Sequence, residues 1–167
     1  MQTSVSNSKL AIGRTGEFYR TDSQRTLGAV LNSDTESLNV VGSAVLHVAG
    51  NDSQVGIAAD GNFAGILISP KTSLIPTLDP QALIGNDQQV EFAQAGYLVV
   101  DLPAAASIGD FVYYSDTDGT LSTAAPSATA PAGTTRLPGG TVQEFNLTEA
   151  GQGVIYFDAA GSTVEPA

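Results

Sequence analysis

The sequence has no cysteine, no tryptophan and a single histidine, His47. Without cysteine no disulfide staples the chain, and no thiolate serves as nucleophile or metal ligand. One imidazole excludes any metal site that needs two or three within one chain. A serine triad would have to use His47, yet no serine stands in a nucleophile elbow such as G-x-S-x-G. His47 shares its strand face with Val45 and Ala49 and reads as a surface or interface histidine. Bases are scarce as well: six Lys and Arg face 17 Asp and Glu, a formal net charge of −11. That sign repels phosphate, so no direct nucleic-acid binding is expected of the body. No apolar run approaches the roughly 20 residues of a membrane helix, so no membrane partner is expected. The start, "MQTSVSNSKLAIGRTGEF", lacks the apolar stretch of a secretory signal. The expectation is a soluble chain made in the cytoplasm, with Met1 speaking against a removed leader.

Helical periodicity is missing too. No window of about 12 residues or more holds a 3.6-residue apolar stripe. One short turn is expected within 76–87, with Asp79 as cap and Pro80 at the first helical position. What is present instead is a set of short runs rich in Val, Ile, Tyr and Phe: "SAVLHVA" (43–49), "FAGILIS" (63–69), "QVEFA" (89–93), "GYLVVDL" (96–102), "DFVYYS" (110–115), "TVQEFNL" (141–147) and "VIYFD" (154–158). Such residues favour pleated, half-buried surfaces. Most of the 18 Gly and eight Pro fall between the runs, as turn signals do. The fold expected is all-β, a small β-sandwich or β-barrel. The order of Gly, apolar strand and polar turn in 40–69 returns loosely in 107–123 and 138–158, as two related β-units packed together would give.

The chain length of 167 residues suits one domain. Residues 1–27 read as an extended N-terminal arm, 28–158 as the β-body, and 159–167 as a loose tail. Within the body, "AAPSATAPAGTTRLPGG" (124–140) reads as a long surface loop of low complexity. Charge divides the same way. Residues 1–25 hold Lys9, Arg14, Arg20 and Arg25 against Glu17 and Asp22, while the remainder is strongly anionic. The arm is either a disordered tail or a segment ordered by a partner, and Phe18–Tyr19 favours the second.

The stretch "IGDFVYYSDTDGTLST" (108–123) holds the strongest hint of chemistry. A calcium loop of the EF-hand type needs ligands at its first, third and fifth positions, a Gly at the sixth and an acid at the twelfth. Counted from Asp116, Gly119 comes two positions early, and Ser127 stands twelfth. The stretch is therefore a hairpin turn made by Asp118-Gly119, with Asp116 bonding nearby amides. Asp60-Gly61 reads as a second hairpin, and 49–56 and 84–89 as polar turns. There is no P-loop, and no G-x-G-x-x-G follows a strand. Two of the 17 acids might be brought together to cleave a glycoside, but such clefts carry aromatic platforms, and aromatics make up 7% of the chain. No catalytic constellation, metal site or cofactor is expected.

Two patterns carry a family resemblance: Gly-x-x-Val strands, in "VGSAVLHV" and "IGDFVYYSDTDGTLST", and the closing hairpin "GGTVQEFNLTEAGQGVIYF". Over about residues 26–158 the chain resembles the structural cement, or capsid decoration, proteins of tailed bacteriophages. The resemblance implies a non-enzymatic virion protein on the outer capsid surface. It would bind the major capsid protein of the expanded shell at junctions between subunits, commonly as a homotrimer and sometimes as a dimer. The arm residues Lys9, Arg14, Phe18, Tyr19, Arg20 and Arg25 are then the candidate capsid-binding set, since buried aromatics and Arg anchor interfaces. The anionic body would keep virions apart. The alternative is a carbohydrate-binding or adhesin-like β-module, using loops 49–56, 84–89 and 115–119 with Tyr97, Tyr113, Tyr114 and Tyr156.

Overall fold

The computed structural model describes residues 12–68 and 83–160. Among these residues nine strands form one sheet: β1 (Arg25–Leu31), β2 (Ala44–Val48), β3 (Asn51–Gly56), β4 (Phe63–Leu67), β5 (Gln89–Leu102), β6 (Phe111–Ser115), β7 (Leu121–Ala124), β8 (Thr134–Glu144) and β9 (Gly151–Asp158). The only helical element among the described residues is a 3-10 turn, Glu36–Leu38. The strand order is β1-β3-β2-β4-β5-β9-β8-β6-β7, and β1 also pairs with β5. That second pairing closes β1, β3, β2, β4 and β5 into a barrel. The other four strands extend from β5 as a wing. The all-β expectation therefore holds, as a barrel whose sheet continues beyond closure.

Two cores follow from this. Leu31, Val45, Val55, Ala64, Leu67, Val90 and Phe92 fill the barrel. Ala44, Leu46, Ile66 and Ala93, on the outside of the barrel wall, join Val112, Tyr114, Leu121, Leu137, Val142, Ile155 and Phe157 of the wing in a second core. Strands β2, β4 and β5 are thus buried on both faces. Their near-continuous apolar runs, "AVL" and "GIL", have this cause, because a strand solvated on one face would alternate instead. Gly65 lies where β4 crosses β5, and a Cβ there would collide with the Ala93 carbonyl oxygen.

Several expected boundaries move. "NDSQVG" is strand β3, not a turn; it buries only Val55 and Gly56, so its polar residues face water along the barrel. Asp60-Gly61 makes no hairpin. β3 and β4 both flank β2, and the link between them crosses the end of β2, where the His47 amide donates to the Asn62 carbonyl (2.9 Å). β8 reaches back to Thr134, which shortens the loop expected over 124–140. Leu137, fully buried, draws "TTRL" into the sheet, and the register slips past Pro138-Gly139-Gly140, since Pro offers no ladder donor. The two runs 89–93 and 96–102 are one strand, β5, bent at Gly96 with φ +131°. The turn expected over 76–87 lies mostly outside the described residues.

The hairpin at 116–119 is confirmed. It joins β6 to β7 with Gly119 at φ +68°. Asp118, not Asp116, holds the turn: its Oδ1 accepts from the Thr120 amide (3.0 Å) and hydroxyl (2.7 Å). Those bonds hold its carboxyl below the ordinary range. Asp116 instead accepts from the Thr135 hydroxyl on β8 (2.8 Å). The hairpin tip also meets the barrel, where the Ala44 amide donates to the Gly119 carbonyl (2.8 Å).

Candidate functional site

The arm cannot be treated as separate from the body. Its residues 16–19 lie beside Tyr97–Val99 of β5, on the edge opposite β9 that β1 does not reach. The Gly16 amide donates to the Val99 carbonyl (2.8 Å), the Val99 amide to Glu17 (2.9 Å) and the Tyr19 amide to Tyr97 (2.9 Å). Phe18 stands opposite Leu98. Beyond a turn at 21–24, β1 continues along the same edge of β5, pairing Arg25–Val30 with Gln89–Ala95. Arm and β1 together cover one long strand edge, which would otherwise offer unpaired amides to any passing strand.

The predicted arm residues are largely engaged by the body. Phe18 packs against the second core, its ring over Gly96, where an added Cβ would lie 3.0 Å from Cε1. Arg20 pairs with Glu144 and lies over the Tyr97 ring, 4.8 Å from its centroid. Arg25 pairs with Asp158 at 2.7 Å. That bond, with the Ala160 amide, depresses the Asp158 carboxyl. Tyr19 meets Phe145 edge to face at 6.1 Å, and the Glu144 carboxylate beside it raises its hydroxyl above the ordinary value. Arg14 is exposed and makes no ion pair among the described residues. Lys9 lies outside them.

A second feature escaped the sequence reading. Segments 103–109 and 145–148 meet at one end of the wing through paired backbone bonds, Ala106 to Leu147 at 3.0 Å and Leu147 to Ala106 at 2.8 Å. The Ile108 amide donates to the Asn146 side chain (2.8 Å). Neither segment, "PAAASIG" or "FNLT", carries a charge. Ile108 is 56% exposed and Phe145 44%. Phe145 has φ +66°, a conformation that bulky residues rarely adopt and that local structure must enforce. The uncharged run was the available signal; the meeting of the two segments was not visible in the sequence.

The features that would support other chemistries are placed elsewhere. Tyr113 and Tyr114 are buried, and Tyr97 lies beneath Arg20, so these tyrosines form no open sugar platform. A surface hollow of about 450 Å³ touches Thr15, Asp101 and Asp118. Its acids are already used: Asp101 accepts from the Thr15 hydroxyl (2.8 Å), and Asp118 holds the hairpin. Among the described residues no group of three His, Asp or Glu is placed to hold a metal.

Three comparisons bear on this arrangement. No curated protein sequence matches the chain. Among solved structures, a chain in "The capsid of Myoviridae Phage XM1" aligns with a TM-score of 0.63 at 18% identity, over 90% of this chain and 93% of that one. The head fiber gp8.5 N base of bacteriophage phi29 aligns at a TM-score of 0.39 and 13% identity, over 83% and 98%. A family model described as structural cement protein (E217 gp24/Pam3 gp6) matches residues 1–165. With nearly the whole sequence matched, the chain belongs to the phage structural cement protein family, and its role is that of a structural component of the virion.

Proposed function

We propose that this protein binds the outer face of the expanded capsid at junctions between subunits of the major capsid protein and holds them together without chemistry. The observation that carries the reading is the family match over residues 1–165. The charge division supports it: a cationic leading segment suits attachment, and an anionic body suits a surface facing solvent. Repeated placement around a shell lets modest affinity per copy suffice. Copies assemble as homotrimers in this reading, with dimers as the other arrangement.

Within the arm, the roles divide. Phe18, Arg20 and Arg25 fasten the arm to its own body, and Tyr19 bridges it to Phe145. Arg14, exposed and ahead of the docked segment, and Lys9 before it, are the arm cations assigned to the shell. The test is co-sedimentation with expanded shells that lack this protein. Full-length chain, a chain beginning at Ile12 and Arg14→Glu are compared across a salt series. Saturable binding by the full chain, weakened in both variants, is the expected result. Binding by none of the three would sink the capsid reading.

A further inference from the structure

We infer that the uncharged end of the wing, centred on Ile108 and Phe145, is a docking surface for a shell protein that presents an apolar recess flanked by Lys or Arg. The inference rests on the cement reading and moves the main contact from the arm to the body.

The geometry points there for three separate reasons. First, this end joins two of the few large apolar side chains left exposed, Ile108 and Phe145, beside the exposed Ala104 and Ala105. In a chain of net charge −11, a surface with no formal charge across two adjoining segments is unusual, and apolar exposure of this kind marks contact sites. Second, Phe145 is held at φ +66°. Glycine or asparagine would fit that backbone better, so a phenylalanine there serves something other than local stability. Aromatic anchors of this kind dominate binding energy at interfaces. Third, among the described residues, acids flank the patch in sequence and no base does. Glu149 is exposed two positions beyond Leu147. Asp110 follows Ile108 by two and accepts from the Ser107 amide (2.8 Å), which fixes it at the rim. Arg20, next to the Tyr19 that meets Phe145, is paired with Glu144.

This rim selects the partner. A second copy docked end to end would bring acid against acid, which costs affinity and slows encounter. A recess with basic flanks meets both the apolar centre and the rim. Tyr19, edge-on to Phe145, ties the arm to the same end, so arm and patch can contact one partner together.

Binding to expanded shells lacking this protein is measured for wild type, Phe145→Gly, Ile108→Ser and Glu149→Lys. Thermal midpoints and sedimentation velocity of the free proteins accompany it. Phe145→Gly suits the backbone at φ +66° and should keep its thermal midpoint while binding falls about tenfold or more. Ile108→Ser should fall similarly. Glu149→Lys should weaken binding less, and its affinity should depend less on salt. Wild-type affinity in the Phe145 and Ile108 variants would overturn this assignment and leave the cement role standing. A free protein whose mass drops in Phe145→Gly would also overturn it, because the patch would then join copies of this chain. Failure of wild type to bind would remove both readings.

Discussion

The barrel and the wing share one sheet but solve the problem of strand edges differently. The barrel closes on itself through the β1–β5 pairing, so its ladder has no end there. The wing ends at β7, which among the described residues pairs only with β6. Barrel strands β2 and β4 are packed on both faces, whereas β7 buries only Leu121 among its four residues. A closed element packed on both faces and an open one that ends in a thinly packed strand thus lie side by side. The difference teaches where rigidity and availability reside: the barrel supplies the frame, and the wing carries the uncharged end and the one edge left open among the described residues.

The strongest way to break this contrast is to empty each core. Phe92 fills the barrel and Phe157 the seam between barrel and wing, both essentially inaccessible. Replacing either by Ala should cost about 4 kcal/mol. Because β2, β4 and β5 serve both cores, chemical denaturation should still show one transition in each variant. Two separated transitions in Phe92→Ala would show that barrel and wing are independent units.

A smaller effect tests the joint between them. Gly119 has φ +68°, and an added Cβ would stand 2.7 Å from the Ala44 carbonyl oxygen. Gly119→Ala should cost about 2 kcal/mol through backbone strain and crowding together. An unchanged thermal midpoint would mean that the hairpin tip does not bear on the barrel. Hydrogen exchange sharpens the same point without mutation: amides of β4 should be among the slowest, and the outward amides of β7 among the fastest.

The smallest effect concerns the arm. Arg25 and Asp158 are a surface pair, and Arg25→Ala should cost about 0.5 kcal/mol. The folded-state pKa of Asp158 is depressed. The pair's contribution is therefore fully present above the carboxyl's ordinary value of 3.8. It disappears as pH falls through the lowered folded value. The difference between Asp158→Asn and wild type in thermal midpoint should accordingly shrink below that pH and stay constant above it. A difference that persisted in strong acid would assign Asp158 a role other than pairing with Arg25.

Much of this was legible in the sequence, for reasons that can be named. The β-branched and aromatic runs specified strands because their side chains suit a pleated surface. Gly119 was read correctly as a turn residue because Asp-Gly suits a tight reversal between two apolar runs, a rule that Asp60-Gly61, in a link between non-paired strands, does not obey. Other features misled. "NDSQVG" looked like a turn because a strand needs only one inward side chain per two residues, and here the outward ones are polar. "TTRLPGG" looked like loop because composition averages over Leu137, the one residue that commits it to the sheet. The partners of the arm cations were not legible, because nothing in a one-dimensional chain shows that Arg20 will meet Glu144 or that Arg25 will meet Asp158, more than a hundred positions away.

By itself, then, the sequence determined what depends on local chemistry and on sums. Those are strand propensity, the turn at 116–119, the lack of any thiol, and a net charge of −11. Tertiary structure alone decided what depends on which distant residues meet. Closure by β1 against β5, burial of β2 and β4 on both faces, capture of the arm by β5 and the joining of 103–109 to 145–148 are all of this kind. The physical reason is the same in each. Backbone amides and apolar faces need a partner but do not encode which one, and the choice falls to the packing that leaves the fewest of them exposed to water.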